Sequence, residues 1–189
     1  MITRTEAFTG LYAAWRLLLR DARATSLFDA TPLGAVKSFF CALIVLPGYA
    51  LIVTFVHTKT ATDVNWFRFF LVEAIAYVIT WCAWPLLMFY IATALDRSKD
   101  FLLYLTALNW SAGPQMLIWL FVLFLAFSGV FPQELVVVAN LVALAVILMY
   151  HLFILRTTLR LTFLVALGLV IGEAIVSQFI DQARGAMLN

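Results

Sequence analysis

Long apolar stretches alternate with short polar connections along most of this chain. Five stretches contain at least the roughly 20 residues that a helix needs to cross about 30 Å of hydrocarbon. They are Leu33 to Val56, Phe67 to Leu95, Phe101 to Phe127, Leu135 to Leu155 and Leu161 to Ile180. The pattern predicts an all-α integral membrane bundle of five transmembrane helices over residues 33–181, followed by a short outer tail at 182–189.

The segment before the first span, residues 1–32, has a different pattern, in which apolar and basic residues recur on opposite sides of a helix. The apolar side carries Phe8, Leu11, Tyr12, Trp15, Leu18 and Leu19, and the basic side carries Arg16, Arg20 and Arg23. A cytoplasmic amphipathic helix of this kind typically lies in the plane of the lipid headgroups. A second hypothesis, which does not exclude the first, is a helix that packs on the protein's own cytoplasmic surface.

Three successive spans carry a proline near the middle, namely Pro47, Pro85 and Pro114. Proline removes a backbone donor and clashes with the preceding turn, so each predicts a kink. Broken helices around a midplane site are the alternative to simple kinks. At Pro114 the choice is between one kinked span and a re-entrant hairpin. The kinked span is favoured, because irregular backbone at membrane depth must be shielded by protein.

Composition supports the membrane assignment and the charge distribution orients it. The chain is 65% hydrophobic and 12% charged, whereas soluble domains average about 45–50% and about 25%. With five spans, nine of the twelve basic residues lie on the same side of the membrane as the N-terminus. The other three, Lys59, Arg68 and Arg184, lie on the opposite side. The positive-inside rule then predicts a cytoplasmic N-terminus and an outer C-terminus. A net charge of +2 indicates no nucleic-acid partner.

Two carboxylates fall inside apolar spans, Glu73 and Glu173. An ionised carboxylate at such depth is unfavourable, so each is expected to be protonated, paired or next to water. The functional hypothesis is a proton or cation relay. The structural hypothesis, which is favoured because no basic residue is expected at a matching depth, is a protonated Glu that hydrogen-bonds a neighbouring helix.

Other polar and small residues fit the structural hypothesis. Gly168 and Gly172 form a G-x-x-x-G pattern that lets another backbone approach closely. Asn140 is the predicted partner of Glu173. Asn109 is expected to satisfy a carbonyl that is freed by the kink at Pro114.

Chemistry-bearing residues are sparse. His57 and His151 are predicted at opposite interfaces, so they do not converge on a haem iron. Cys41 and Cys82 lie in apolar runs without metal-ligand spacing. Motifs of hydrolases, metalloproteases and phosphate-binding loops do not occur. We therefore predict no catalytic residue, no metal and no cofactor, and a protein that is not an enzyme.

Three segments resemble the Yip family of five-helix membrane proteins, over about residues 30–180. They are Asp96 to Asp100, then Phe101-Leu-Leu-Tyr-Leu-Thr-Ala-Leu, then Ser111-Ala-Gly-Pro114. Of the signature that the eukaryotic family carries before its first span, this chain shares Asp29 and Pro32. The resemblance implies a five-helix fold and a role in membrane scaffolding or partner binding.

The favoured hypothesis for function is a non-enzymatic scaffold or accessory subunit, which binds another membrane protein or itself within the lipid bilayer. The alternative is a small oligomeric transporter, coupled to protons or cations through Glu73 and Glu173. A third hypothesis is membrane shaping by the amphipathic segment 6–23. The arginine-rich, lysine-poor composition is typical of high-GC bacteria and predicts the bacterial inner membrane as the location.

Overall fold

Helices account for most of the described residues. The computed structural model describes residues 2–60 and 65–188, except the side chains of residues 59 and 60, so the predicted outer position of Lys59 lies outside the described side chains. The α-helices are α1 Arg4–Leu18, α2 Pro32–Ser38, α3 Phe40–Thr60, α4 Trp66–Ala94, α5 Phe101–Phe127, α6 Gln133–Thr158 and α7 Phe163–Leu188. Two 3₁₀ turns, Ala22–Leu27 and Ser98–Asp100, precede α2 and α5.

Within the described residues, five helical stretches are long and apolar enough to cross a membrane, which confirms the predicted number. They are Pro32–Thr58, Trp66–Ala94, Ser98–Phe127, Gln133–Thr158 and Phe163–Leu188. Large apolar side chains on their outer surfaces are exposed, for example Phe67 and Leu164 at 77% each. An apolar outer surface is what lipid requires and water disfavours. The fold therefore has the length and surface composition that suit a multi-pass membrane protein.

Two spans differ from the prediction, the first in continuity and the last in length, whereas the third is the single span that the sequence favoured. The first is divided at Phe39 into α2 and α3. Next to the division, Ser38 Oγ donates to the Ala35 carbonyl at 2.7 Å, a bond that competes with the regular helical pattern. The third span is one continuous helix through Pro114, so the re-entrant hairpin is not formed. Helix α7 continues to Leu188, through the segment predicted as a tail.

Helix α5 is the centre of the bundle. It packs against α1, α2, α3 and α6, while α7 packs against α4 and α6. The buried side of α5 includes Tyr104, Trp110 and Ser111. The N-terminal helix α1 crosses the outside of α5 and reaches α6, where the Tyr150 hydroxyl donates to the Ala14 carbonyl at 2.6 Å.

Small residues allow α1 to lie directly on α5. Its buried stripe consists of Gly10, Ala13, Ala14 and Leu17. A Cβ atom at Gly10 would lie 2.4 Å from the Trp110 ring, so the ring occupies the space that a side chain would need. Helix α1 thus packs on the protein itself, as one of the two hypotheses states. The face that it buries is this small-residue stripe, rather than the predicted aromatic side.

The aromatic side of α1 is largely exposed, and it borders a groove against α3 and α5. Phe8 is 71% exposed and Trp15 is 46% exposed. At the start of α1, the Lys37 ammonium donates to Glu6 Oε1 at 2.5 Å, which ties α1 to α2. This hydrogen bond, with further bonds from Thr3, lowers the pKa of Glu6 from 4.5 to about 2. Helix α1 is therefore held by an ion pair at one end and by close backbone packing in the middle.

Replacing Gly10 with Val is expected to destabilise the fold by about 1–3 kcal/mol, because the added carbons overlap the Trp110 ring. Trp110 is only 4% exposed and cannot move aside freely. Unfolding of the purified protein in mixed micelles measures the effect. Gly185→Val is the matched control, since a Cβ at Gly185 meets no described atom within 4 Å. Equal loss of stability in both variants would contradict the close packing of α1 on α5.

Candidate functional site

A cavity of about 250 Å³ lies between the spans and receives residues from five helices. Its polar lining includes Tyr49, Tyr77, Thr80, Asn109, Ser111, Gln115, His151 and Glu173. Much of the remaining wall consists of the indole rings of Trp81, Trp84 and Trp119. A small concave site with a few converging polar groups is the usual form of a small-molecule site.

The ionisable pair of this cavity is His151 and Glu173. His151 Nδ1 lies 2.8 Å from Glu173 Oε2, and the two side chains are 14% and 16% exposed. The other ring nitrogen, Nε2, is buried and has no hydrogen-bond partner among the described residues. A histidine next to a carboxylate in a low-dielectric site can hold and release a proton. The pair is the strongest candidate in the chain for proton chemistry.

The expectation that Glu173 lacks a basic partner was wrong because the last helix is longer than predicted. With a span of 161–180, Glu173 lies beyond the midpoint, towards the C-terminal end. In the actual helix, Phe163–Leu188, it lies about 4 Å before the midpoint. His151 lies about 8 Å beyond the midpoint of the antiparallel helix α6, which is the same half of the bundle. From this position the ring of His151 reaches Glu173.

Glu73 also has a basic partner, which again corrects the prediction. Arg184 Nη1 lies 3.3 Å from each oxygen of the Glu73 carboxylate, which is 6% exposed. The Tyr49 hydroxyl donates to Glu73 Oε2 at 2.6 Å. Arg184 also contacts Asp181 at 3.1 Å. Because Arg184 belongs to the extended part of α7 and Glu73 to the start of α4, their pairing joins the ends of these two helices.

Tyr49 connects the two acidic groups in space. Its side chain lines the cavity that contains Glu173, and its hydroxyl bonds Glu73. The structure thus places a His–Glu pair in one half of the bundle and a Tyr–Glu–Arg cluster in the other, with the cavity in contact with both. No feature of the sequence except the two isolated glutamates pointed to this arrangement.

The other predicted polar residues have different partners from those expected. Asn140 is not the partner of Glu173, because its amide donates to the Val136 carbonyl of its own helix at 3.0 Å. Asn109 does not satisfy a carbonyl near Pro114. Its amide donates to Ser38 Oγ at 2.8 Å and so joins α5 to α2.

The glycines of α7 lie where no described backbone approaches them. A Cβ at Gly168 would meet no described atom within 4 Å, and one at Gly172 would lie 3.8 Å from the Trp84 ring. Pro47, Pro85 and Pro114 all lie inside helices that continue past them. Pro85 lines the cavity beside Trp84.

The indole walls were the main part of the site that sequence reasoning missed. Trp81 and Trp84 are three positions apart on α4, a spacing that puts both on one face. Trp84 Nε1 donates to the Tyr104 hydroxyl at 2.9 Å, and this bond orients the ring. Tyr77 Oη donates to the Ala42 carbonyl at 2.6 Å. The available signal was four tryptophans deep inside spans, a position more typical of packing or binding than of interfacial anchoring.

Comparison with known proteins found no relative of the chain. No family model, no curated protein and no solved structure matches it. The resemblance to the Yip family therefore stays a prediction from the residues that carry it. Function must be argued from the cavity and its side chains.

Replacing Arg184 with Leu is expected to destabilise the fold by about 2 kcal/mol, since Glu73 would be left as a buried carboxylate without its cation. The loss stays below that of a fully interior pair because the Arg184 side chain is 31% exposed. Chemical unfolding in mixed micelles measures it.

The double variant Glu73→Gln, Arg184→Leu separates the ion pair from simple packing. With no charge left unpaired, it is expected to recover most of the stability. Arg4→Leu is the matched control, because Arg4 is exposed and forms no ion pair with the described residues. A double variant as unstable as Arg184→Leu alone would contradict the role of the ion pair.

Proposed function

We propose that this protein is a small proton-coupled carrier, which binds a solute in the cavity between its spans. The observation that carries the proposal is the His151–Glu173 pair at the cavity wall, in which Nδ1 lies 2.8 Å from Oε2. Ionisable residues inside membrane spans are characteristic of proton relays and substrate pathways. This is the alternative function raised from the sequence, and the paired geometry now favours it over the scaffold.

The positions of the two polar clusters support a pathway across the bundle. Glu173 lies in the half of the bundle that contains the α6–α7 connection, and Glu73 lies about 10 Å from the midpoint of α4, in the opposite half. Tyr49 lies between them, in contact with the cavity and with Glu73. In the proposed mechanism a solute in the cavity and a proton on the His–Glu pair influence each other's binding.

The proposed orientation follows from the distribution of basic residues. The N-terminus and the 3₁₀ turn Ser98–Asp100 face the cytoplasm, and the C-terminus faces outward, in the inner membrane of a bacterium. His151 and Glu173 then lie in the cytoplasmic half, and the Glu73–Arg184 pair lies in the outer half. Since a five-span chain has no second, inverted repeat, the proposed carrier works as an oligomer.

Proteoliposomes with an internal pH dye test the carrier. We expect at least one member of a panel of small cations, anions and neutral solutes to drive proton movement, and Glu173→Gln to reduce it to the level of empty vesicles. Glu134→Gln is the matched control, because Glu134 is exposed at the start of α6 and lies outside the cavity. Unchanged flux in Glu173→Gln, or no flux with any solute, would overturn the proposal.

The second candidate function is the scaffold predicted from the sequence. The observation that favours it is the open surface around Gly168, beside Leu164, which is 77% exposed. A helix face with a bare glycine permits close approach of another helix. A scaffold of this kind self-associates or holds a second membrane protein through α7.

Mass measurement of the protein in mild detergent tests this face. We expect an oligomer that Gly168→Ile shifts towards the monomer, since a branched side chain keeps two backbones apart. Gly185→Ile provides a control on the same helix, at a position that is equally open within one chain. If the unmodified protein is a monomer, or if both variants behave like it, the α7 face is not the contact.

A further inference from the structure

We infer that the ligand of the cavity is a small monovalent organic cation, of the alkylammonium or aromatic ammonium class, held by the Glu173 carboxylate and the surrounding indole and phenol rings. Its binding is argued from the geometry of the cavity. Only its transport in exchange for a proton rests on the proposed function.

The first support is the carboxylate of Glu173, whose partner His151 holds either one proton or two. His151 Nδ1 faces Glu173 Oε2, but His151 Nε2 is buried without a partner in the described part of the chain. With both ring nitrogens protonated the pair is neutral, but the Nε2–H is then a buried donor without an acceptor, which is unfavourable. With the imidazole neutral, Nδ1–H donates to an ionised Glu173, and the pair carries one negative charge that a bound cation neutralises.

No other cation in the described structure neutralises that charge. Arg184 is committed to Glu73 and Asp181, at 3.3 and 3.1 Å. Apart from Glu73, the titratable groups that line the cavity or touch its lining in the described structure are the phenols of Tyr49, Tyr77, Tyr104 and Tyr150, which are uncharged near neutral pH. A lone negative charge between apolar helices favours uptake of a cation.

The second support is the aromatic wall. The rings of Tyr49 and Tyr77 lie 4.7 Å apart, and those of Tyr77 and Trp81 lie 6.1 Å apart, so one surface of rings lines the cavity. Trp84 approaches α7 at Gly172, the residue before Glu173. Indole and phenol faces attract organic cations, and quaternary ammonium groups are typically recognised by such cages. A carboxylate beside this wall selects for a positive charge.

The size of the cavity sets the size of the cation. Its volume of about 250 Å³ is just below the ~300–1,000 Å³ of common small-molecule pockets. A compact cation such as benzyltrimethylammonium matches this volume, and bulky tetra-aryl cations exceed it. Hydrogen-bonding groups at Asn109, Gln115 and Thr80 provide additional contacts for an ammonium N–H or a polar substituent.

Charge balance links this cation to one proton. With the cation bound, Glu173 is neutralised and His151 keeps its single proton on Nδ1. Without the cation, a proton from water that binds His151 Nε2 neutralises the pair instead. Both together would leave an excess positive charge, so the two compete for one site. Cation binding releases that proton to water, and binding therefore strengthens as the pH rises.

Titration of the purified full-length protein with benzyltrimethylammonium, followed by calorimetry and tryptophan fluorescence, tests the inference. The neutral isostere neopentylbenzene, in which carbon replaces nitrogen, is the ligand control and is expected to bind far more weakly. Glu173→Gln is expected to weaken cation binding roughly ten- to hundredfold, which corresponds to the loss of one charge-assisted contact.

Trp81→Leu is expected to weaken binding roughly two- to thirtyfold, the range for one cation–π contact, and Trp81→Phe is expected to restore part of it. Glu173→Asp keeps the charge and is expected to retain binding, which guards against a folding defect in Glu173→Gln. Glu134→Gln and Trp15→Leu, both at exposed positions outside the cavity, are matched controls. His151→Gln removes the imidazole that takes up the competing proton, so the rise of affinity with pH is expected to differ from that of the unmodified protein.

Equal binding of the neutral isostere, or wild-type affinity in Glu173→Gln, would overturn the cation site. If the cation binds as expected but moves no protons in vesicles, the carrier proposal fails and the cation site stands. If neutral or anionic solutes drive Glu173-dependent proton flux while no cation binds, the carrier stands and the cation site is wrong.

Discussion

The carboxylates of Glu73 and Glu173 lie among apolar helices, where a charge without a partner is strongly unfavourable. Each finds its partner on another helix: Arg184 of α7 for Glu73 of α4, and His151 of α6 for Glu173 of α7. These polar contacts relate α4, α6 and α7 to one another in a bundle whose other contacts are mostly apolar and weakly directional. The need to pair these buried carboxylates thus orients the three helices, and it also brings together the ionisable side chains of the candidate site.

Helix α5 packs closely against α1 and also borders the polar cavity. Beside α1, Gly113 leaves no space for a Cβ next to Leu11. Ser111 and Gln115 of the same helix line the cavity. Small residues thus bring α1 close to α5, while large rings oriented by their own hydrogen bonds, such as Trp84 to Tyr104, border the cavity.

The errors of the sequence interpretation arose because the sequence did not show how long the last helix is or how each helix is rotated about its axis. Ending the last span at Ile180 put Glu173 in the wrong half of the bundle and Arg184 outside it, because apolar content alone does not show that a helix continues to Leu188. Asn140 was chosen as a partner by depth, but it turns towards its own helix. Depth along a span can be counted from residues, whereas the direction in which a side chain points depends on how the helix is rotated against its neighbours.

The five apolar helices, the amphipathic helix before them and the two glutamates inside the spans could all be recognised from the sequence. Hydrophobic length and the unfavourable transfer of charge into an apolar medium are properties of local segments. Tertiary structure alone decided the partners of Glu73 and Glu173, the small-residue contact of α1 with α5, and the aromatic cavity. Each of these joins residues from helices far apart in the chain, and their packing selects which faces meet.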